Sequence, residues 1–380
     1  MELEFIPKSS VTVEDVIGAM NHDAKVDSVV ETFRKSLTGV KIEKNVRFAD
    51  SDILKKRPKV RSKVSGVADL RLTSPDGTEL YVNVNDTLNS NIDVSAVDWS
   101  DVRDSGDDVV PSIENGGQKL ADVRDSGDDV HSVMTGGSSV KRADHQREAL
   151  AAHDAGVELM QIYDWFDMDT ILDMIKSRFV MQPRKIFARN TEARVITQKD
   201  ANGFLERYHM QGGARGQSYC VGLFDKDKGD LVQVQTFGKS RFDKDHEWEA
   251  IRLASKSGVI VVGGVSKGFS KFVKDNDPES VVSYVDADRS VGDADEKTGF
   301  SYVRQTTPTD VWFDPFGKDP KSYKDTSVQM AGIDKILGLP ASDFPDYVKG
   351  DKTTGNTALM LKMGYARVPT SGSFVYEWRK

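Results

Sequence analysis

Between residues 90 and 142 the hydrophobic patterning of the chain stops. This stretch is rich in Asp, Ser, Gly and Asn, and it repeats DVRDSGDDV at 101–109 and 122–130. Residues 93–130 carry eleven Asp or Glu against Arg103, Lys119 and Arg124, a net charge of −8. A segment so acidic, with so few large apolar side chains, buries too little surface to offset the entropy of ordering it. One continuous core through all 380 residues is therefore excluded. Two copies are too few for a solenoid. The stretch reads as an acidic insertion with a local duplication: solvated by default, a DNA-mimicking decoy as the sharper alternative.

The formal charge of the whole chain is also −8, so everything outside that segment sums to zero. An acidic average therefore does not exclude nucleic acid. KKRPKVRSK (55–63) has six basic residues in nine, either a solvated loop or a basic loop beside DNA. The single cysteine, Cys220, excludes an intrachain disulfide and a cysteine-based zinc site, and fits a reducing compartment. MELEFIPKSS lacks a signal pattern, and no apolar run reaches membrane-span length. A cytoplasmic protein without a membrane partner is expected.

The flanks have the length for two domains, the 38% hydrophobic content of the whole chain allows each a core, and both read as α/β (α+β). In 1–180 the pattern predicts a helix over 13–38, with Val16, Val29, Val30, Phe33 and Leu37 on one face, then a strand at 41–48. A hairpin follows over 66–86, where Leu70, Leu72, Leu80, Val82 and Val84 alternate with polar residues around Pro75-Asp76-Gly77. A helix from Asp144 stops at Gly156, VELMQIYDW (157–165) is a buried strand, and another amphipathic helix closes the unit. Residues 185–380 repeat the alternation. EWEAIRLAS there reads as a helix face on which Glu249 and Arg252 pair.

A hairpin with Asp on one strand and a carboxylate plus a polar residue on the next is one way to hold Mg²⁺ for phosphodiester hydrolysis. Asp69 sits on the first strand, but the second offers Asn83 and Asn85. Taken alone, Asp69 is an exposed strand carboxylate.

The run VDSVVETFRKSL…VKIEKNVRF…VADLRL…YVNVND resembles the Vsr-type branch of the PD-(D/E)xK nucleases. It is most similar to phage-encoded homing endonucleases that carry this domain at the N-terminus. Asn45 and Arg47 match that family's Asn-x-Arg, Asp69 its metal Asp, Asp27 its first-helix acid and Asn85 its second-strand Asn. DHQREALAAHDAGVELMQIYDW resembles its closing helix and strand, with His145 at the family's His. Two positions depart: Asn83 replaces a Glu, and Glu148 replaces a Lys. The resemblance implies a Mg²⁺- or Mn²⁺-dependent endonuclease on double-stranded DNA. Asp69 would be its main ligand, Asn83 and Asn85 neutral helpers, and Asp27 and His145 supports.

The second unit raises a different question in VIVVGGVSKGFSKF, a strand, a glycine turn and a helix. Three readings stand: a turn without ligand; a pyrophosphate cradle at Gly263 and Gly264 with charge from Lys267; or a DNA-phosphate contact by Ser266 and Lys267. Lys239 and Arg241 form a basic pair suited to phosphate. The set FARNTEARVITQ…TFGKSRFDKDHEWEAIRLASKSG…SYVDADRSVGDADEKTGF…MGYARVPTSGSFVYEW resembles the C-terminal region of the same phage family and the GNAT acyltransferase fold, in its Mom-like DNA-modification branch. The resemblance falls on Lys239, Arg241, Arg252, His209, Glu249, Asp286 and Arg289. Because VVGGVS lacks the Arg/Gln-x-x-Gly-x-Gly/Ala signature, a coenzyme A-type ligand ranks below a generic phosphate. Three functions follow in order: a homing-endonuclease-like nuclease; group transfer to DNA bases by the second unit; a non-catalytic DNA-binding or virion-associated protein.

Overall fold

The computed structural model describes residues 22–56, 66–85, 97–98, 112–115, 118–119, 139–163, 167–313, 322–330, 343–351, 354–362 and 365–380. Both copies of DVRDSGDDV, and the basic run beyond Lys56, lie outside these residues. Within 90–142, Val97–Asp98, Ser112–Asn115 and Gln118–Lys119 form a small antiparallel sheet ahead of the next helix.

The first unit is a four-stranded sheet with helices on both faces. In chain order it runs α1 (His22–Ser36), β1 (Lys41–Arg47), β2 (Val67–Thr73), β3 (Glu79–Asn85), α2 (Ser139–Ala155), β4 (Leu159–Tyr163) and α3 (Met168–Arg178). The strand order is β1-β2-β3-β4, antiparallel except for the parallel pair β3–β4. Strand alternation decides what each face holds. Leu70, Leu72, Leu80, Val82 and Val84 pack against Val26, Val30, Phe33 and Leu37 of α1 and Ile171 and Ile175 of α3. Tyr81 turns the other way, onto Ala152 and Ala155 of α2. Gly156 ends α2 with φ +65°, a left-handed stop that glycine adopts without strain.

The second unit comprises β5 (Arg184–Phe187), β6 (Thr191–Val195), α4 (Gln198–Tyr208), β7 (Gln217–Asp225), β8 (Leu231–Lys239), β9 (Trp248–Ser255), β10 (Val259–Val262), α5 (Gly264–Asn276) and β11 (Ser280–Asp286). It continues with β12 (Ser301–Gln305), β13 (Asp310–Phe313), β14 (Ser322–Lys324), β15 (Ala366–Pro369) and β16 (Ser373–Arg379). Seven strands order as β12-β16-β11-β9-β8-β7-β6, with β9–β11 the one parallel pair among them. Cys220, Val234 and Ala254 meet Ala201, Phe204 and Leu205 of α4 on one face. Val221 and Phe237 meet Phe269 and Phe272 of α5 on the other. The chain is thus mixed α/β, as the sequence patterning predicts.

EWEAIRLAS is corrected to a strand, β9. Arg252 sits opposite Thr236 and Ala250 opposite Phe237, so Ile251 is an extra residue, a β-bulge. The bulge resets the alternation and brings Arg252 to the face of Glu249, the same spacing a helix would give.

The two units meet where β4, the edge strand of the first sheet, lies against the turn after β11. The Gln161 N–H on β4 donates to the Asp288 carbonyl at 2.8 Å. Asp288 is buried; its Oδ1 accepts from the Tyr163 hydroxyl at 3.0 Å and from the Ser371 N–H at 2.9 Å. Burial and the neighbouring Asp286 charge push its carboxyl up to about 6.

Candidate active site

The registers draw a polar row across the first sheet. Leu70 pairs with Val82 and Asn83 with Gln161, so Asp69, Asn83 and Gln161 lie side by side on the α2 face. Lys44–Leu70 and Val46–Ala68 bracket Asn45 opposite Asp69, and Asn45 has a positive φ of 52° there. A buried polar row needs partners, and α2 supplies one, Glu148. Asn83 Nδ2 donates to Glu148 Oε2 at 2.9 Å, while Asn83 Oδ1 accepts the Asp69 N–H at 3.2 Å. Gln161 Nε2 donates to the same Glu148 oxygen at 3.3 Å, and Asn85 Nδ2 donates to Gln161 Oε1 at 2.6 Å. Asp69 Oδ2 accepts the Val84 N–H at 2.7 Å.

The Asn83 amide therefore ties the Glu148 carboxylate to the main chain of Asp69, whose own charge acts on Glu148. Burial lifts the Glu148 carboxyl above the usual glutamate range, and the Asp69 charge adds to the lift. No three His, Cys, Asp or Glu side chains converge on a point among the described residues. The donor set here is two carboxylates supplemented by amides. Such oxygens suit a hard cation, since Mg²⁺ is commonly held by one or two carboxylates with waters completing its shell.

The sequence-derived candidates divide on this geometry. Asp69, Asn83 and Asn85 come together; Asn83 links the Glu148 carboxylate to the Asp69 main-chain N–H. His145 lies one helical turn from Glu148, near enough for its charge to act on that carboxyl. Its Nδ1–H points to the Pro369 carbonyl at 3.1 Å and the Tyr163 hydroxyl oxygen at 3.3 Å. Asp27 is not brought to the row: it is an exposed residue of α1 paired with Lys44 at 2.6 Å. Glu148 and Gln161 were missed. The signal for Glu148 was the pair of departures at 83 and 148 taken together.

In the second unit, Gly263 caps α5 with φ +74°, and a Cβ on Gly264 would lie 2.5 Å from Gln233 Oε1. Lys267 is engaged by the protein itself, donating its ammonium to the Ala188 carbonyl at 2.7 Å and to the Thr191 carbonyl. Ser266 is exposed on α5. The turn is thus a packed helix start whose lysine ties down β6. Lys239 is exposed at the end of β8, and Arg241 grips Glu249 through two bonds at 3.1 and 2.5 Å, so the expected Glu249–Arg252 pair is not formed. Arg289 Nε lies 4.0 Å from Asp286 Oδ2, and its Nη1 donates to the Gln161 carbonyl at 3.3 Å.

A second polar group surrounds β9 and β11. These strands pair only from Trp248 to Ala250 against Val281 to Ser283, after which β9 stays with β8 and β11 with β16. Arg252, His209 at the end of α4 and Lys324 on β14 all act electrostatically on one another at this splay. The Gln211 N–H donates to His209 Nδ1 at 3.1 Å, which fixes Nε2 as the protonated nitrogen. Burial, then the charges of Arg252 and Lys324, push the imidazole down to about 4.

No protein-family model and no curated protein matches the sequence. Among solved structures, the chain is similar to a ribosomal-protein-S5-alanine acetyltransferase from Vibrio fischeri. The identity is 10%, over 31% of this chain and 82% of that one, with a TM-score of 0.24.

Proposed function

We propose that the first unit is a divalent-cation-dependent phosphodiester hydrolase acting on DNA. The observation that supports this reading is the Asp69–Asn83–Glu148 arrangement, with Asn83 accepting from the Asp69 main-chain N–H at 3.2 Å and donating to the Glu148 carboxylate at 2.9 Å. A missing strand carboxylate first argues for a lost site. The helix carboxylate replaces its charge, so the Glu-on-strand, Lys-on-helix pattern of the resembled family becomes Asn-on-strand, Glu-on-helix. A Mg²⁺ or Mn²⁺ at Asp69 and Glu148 would supply Lewis-acid stabilisation and an acidified water. Gln161 and Asn83 hold Glu148 in place, and Asn85 holds Gln161.

The test is nicking of supercoiled DNA with Mg²⁺ or Mn²⁺ by wild type, Asp69→Ala and Glu148→Gln. Metal-dependent nicking lost in both variants supports the reading. Nicking that survives Asp69→Ala, or none from folded, DNA-binding wild type, overturns it.

A second reading, group transfer from a coenzyme A-type donor to DNA bases, is favoured by the parallel β9–β11 pair that parts after three residues. Against it stand the packed Gly264 and the committed Lys267. Coenzyme A-dependent stabilisation of the protein would favour it.

A further inference from the structure

The splay of the second sheet gathers side chains that the metal site of the first unit does not employ. The bulge at Ile251 places Arg252 on the Glu249 face of β9. Glu249 pairs with Val282 across the parallel register, so Tyr284 and Asp286 continue that same face on β11. Arg252, Tyr284 and Asp286 therefore face one side of an opening between two diverging strands. His209 reaches it from the end of α4, the helix lying on that face.

The charges there are unbalanced. Glu249 is consumed by Arg241. Arg252 Nη1 donates only to its neighbour Ile251's carbonyl at 2.9 Å, and its Nε is buried with no hydrogen-bond partner among the described residues. Lys324 forms no ion pair among the described residues; Asp286, the carboxylate that faces it, also lies near Arg289 and accepts from Gln211 at 3.5 Å. A buried, unsatisfied guanidinium N–H beside a second cation is costly unless an anion completes it. Burial and the Arg241 charge work against the charge on Arg252, and the Glu249 and Asp286 carboxylates offset them only in part.

Beside this opening stands an exposed aromatic ring. Phe242, in the loop between β8 and β9, is 77% exposed. The Arg241 guanidinium lies 5.2 Å from its ring centre, and Tyr284 meets it edge-on at 6.1 Å. Water does not favour a bare phenyl ring, and a ring braced by an arginine and a tyrosine is a ready stacking platform.

We infer that this splay binds a nucleotide unit, its phosphate taken by Arg252 and Lys324 with the His209 Nε2–H, and its base stacked on Phe242. The inference does not rest on the metal site of the first unit. The shared chemistry, a phosphate next to a flat base, comes either from a single-stranded segment of nucleic acid or from a free nucleotide.

The experiment is fluorescence anisotropy of a labelled single-stranded oligonucleotide with the full chain in EDTA, which keeps hydrolysis out of the measurement. Wild type is compared with Phe242→Ala, Arg252→Gln and Lys324→Gln, each checked for folding by thermal melting. Phe242→Ala changes an exposed ring, so it tests the site even if Arg252→Gln does not fold. The expected result is weaker binding on the order of tenfold for Phe242→Ala with an unchanged salt slope. Arg252→Gln and Lys324→Gln should weaken binding and each flatten the salt slope by about 0.7. Competing AMP, inorganic phosphate and coenzyme A separate the sources. Displacement by AMP at oligonucleotide-like concentration keeps the nucleotide and makes it a free one; resistance to AMP makes it a strand. Oligonucleotide binding indifferent to Phe242→Ala and to both charge variants overturns the inference. So does a site at which coenzyme A or phosphate binds through Arg252 but no nucleotide does.

Discussion

Asn83 Nδ2 donates to Glu148 Oε2 at 2.9 Å, so a strand amide and a helix carboxylate 65 residues apart occupy one polar row with Asp69. Burial and the Asp69 charge both raise the Glu148 carboxyl above its ordinary value. A group raised in this way weakens the fold as pH climbs through its folded value, because the native state must then hold a charge it disfavours. At neutral pH Glu148→Gln should therefore melt no lower than wild type. A divalent cation reverses the comparison. Mg²⁺ at a hundredfold excess over its Kd would stabilise wild type by about 2.7 kcal/mol. Glu148→Gln should lose that metal-dependent shift, along with nicking by roughly a hundredfold or more. A melting series with and without Mg²⁺ reads both; an equal metal shift in the variant removes Glu148 from the site.

The exchange of charge between positions 83 and 148 makes a sharper prediction. Asn83→Glu alone sets a carboxylate where Asn83 now donates to Glu148. It should destabilise the protein by about 1–3 kcal/mol. Adding Glu148→Lys turns that repulsion into an ion pair and restores the arrangement of the resembled nucleases. The double variant should recover most of the loss, with a coupling energy within the roughly 0.5–3 kcal/mol seen for contacting residues. Denaturant melts of the four proteins in the cycle measure it, and strict additivity would show that the two side chains do not interact.

The hairpin was legible because Leu70, Leu72, Leu80, Val82 and Val84 alternate cleanly and all pack on α1 and α3. The same alternation puts Asp69 and Asn83 on the opposite face, so half of the site was legible too. Glu148 was not, because its meeting with Asn83 depends on how α2 lies across the sheet, which no local pattern encodes. Strand β9 was misread for a different reason. Its bulge at Ile251 makes Glu249 and Arg252 share a face three residues apart, the spacing that also marks a helix. Arg241, not Arg252, then takes Glu249, since the turn after β8 carries it back over the strand.

His209 gives a pH prediction of opposite sign to that of Glu148. Its folded value is about 4 against an ordinary 6.5, through burial and then the Arg252 and Lys324 charges. The unfolded chain thus binds a proton that the folded one refuses over this window. The contribution of His209 is fully present above about pH 6.5 and is lost as pH falls toward about 4. Asp288, raised to about 6, works against this trend because its native form takes up a proton first. The difference between wild type and His209→Gln isolates the histidine. His209→Gln should lose less stability than wild type between pH 6.5 and 4, and parallel curves would mean that the imidazole is not held neutral.

Lys267 separates a structural lysine from a ligand-binding one. Its ammonium donates to the carbonyls of Ala188 and Thr191, fastening the start of α5 to the turn before β6. Lys267→Ala leaves those carbonyls without their charged donor and should cost about 1–3 kcal/mol in the ligand-free protein. Gly264→Ala acts nearby by another route: its Cβ would meet Gln233 Oε1 at 2.5 Å and Val261 Cγ1 at 2.8 Å. Both changes should lower the melting temperature without any ligand, and by the same amount with coenzyme A or DNA present. If Lys267→Ala instead melts like wild type alone but loses a ligand-induced shift, the lysine serves a phosphate and the group-transfer reading gains the ground that the packed turn now denies it.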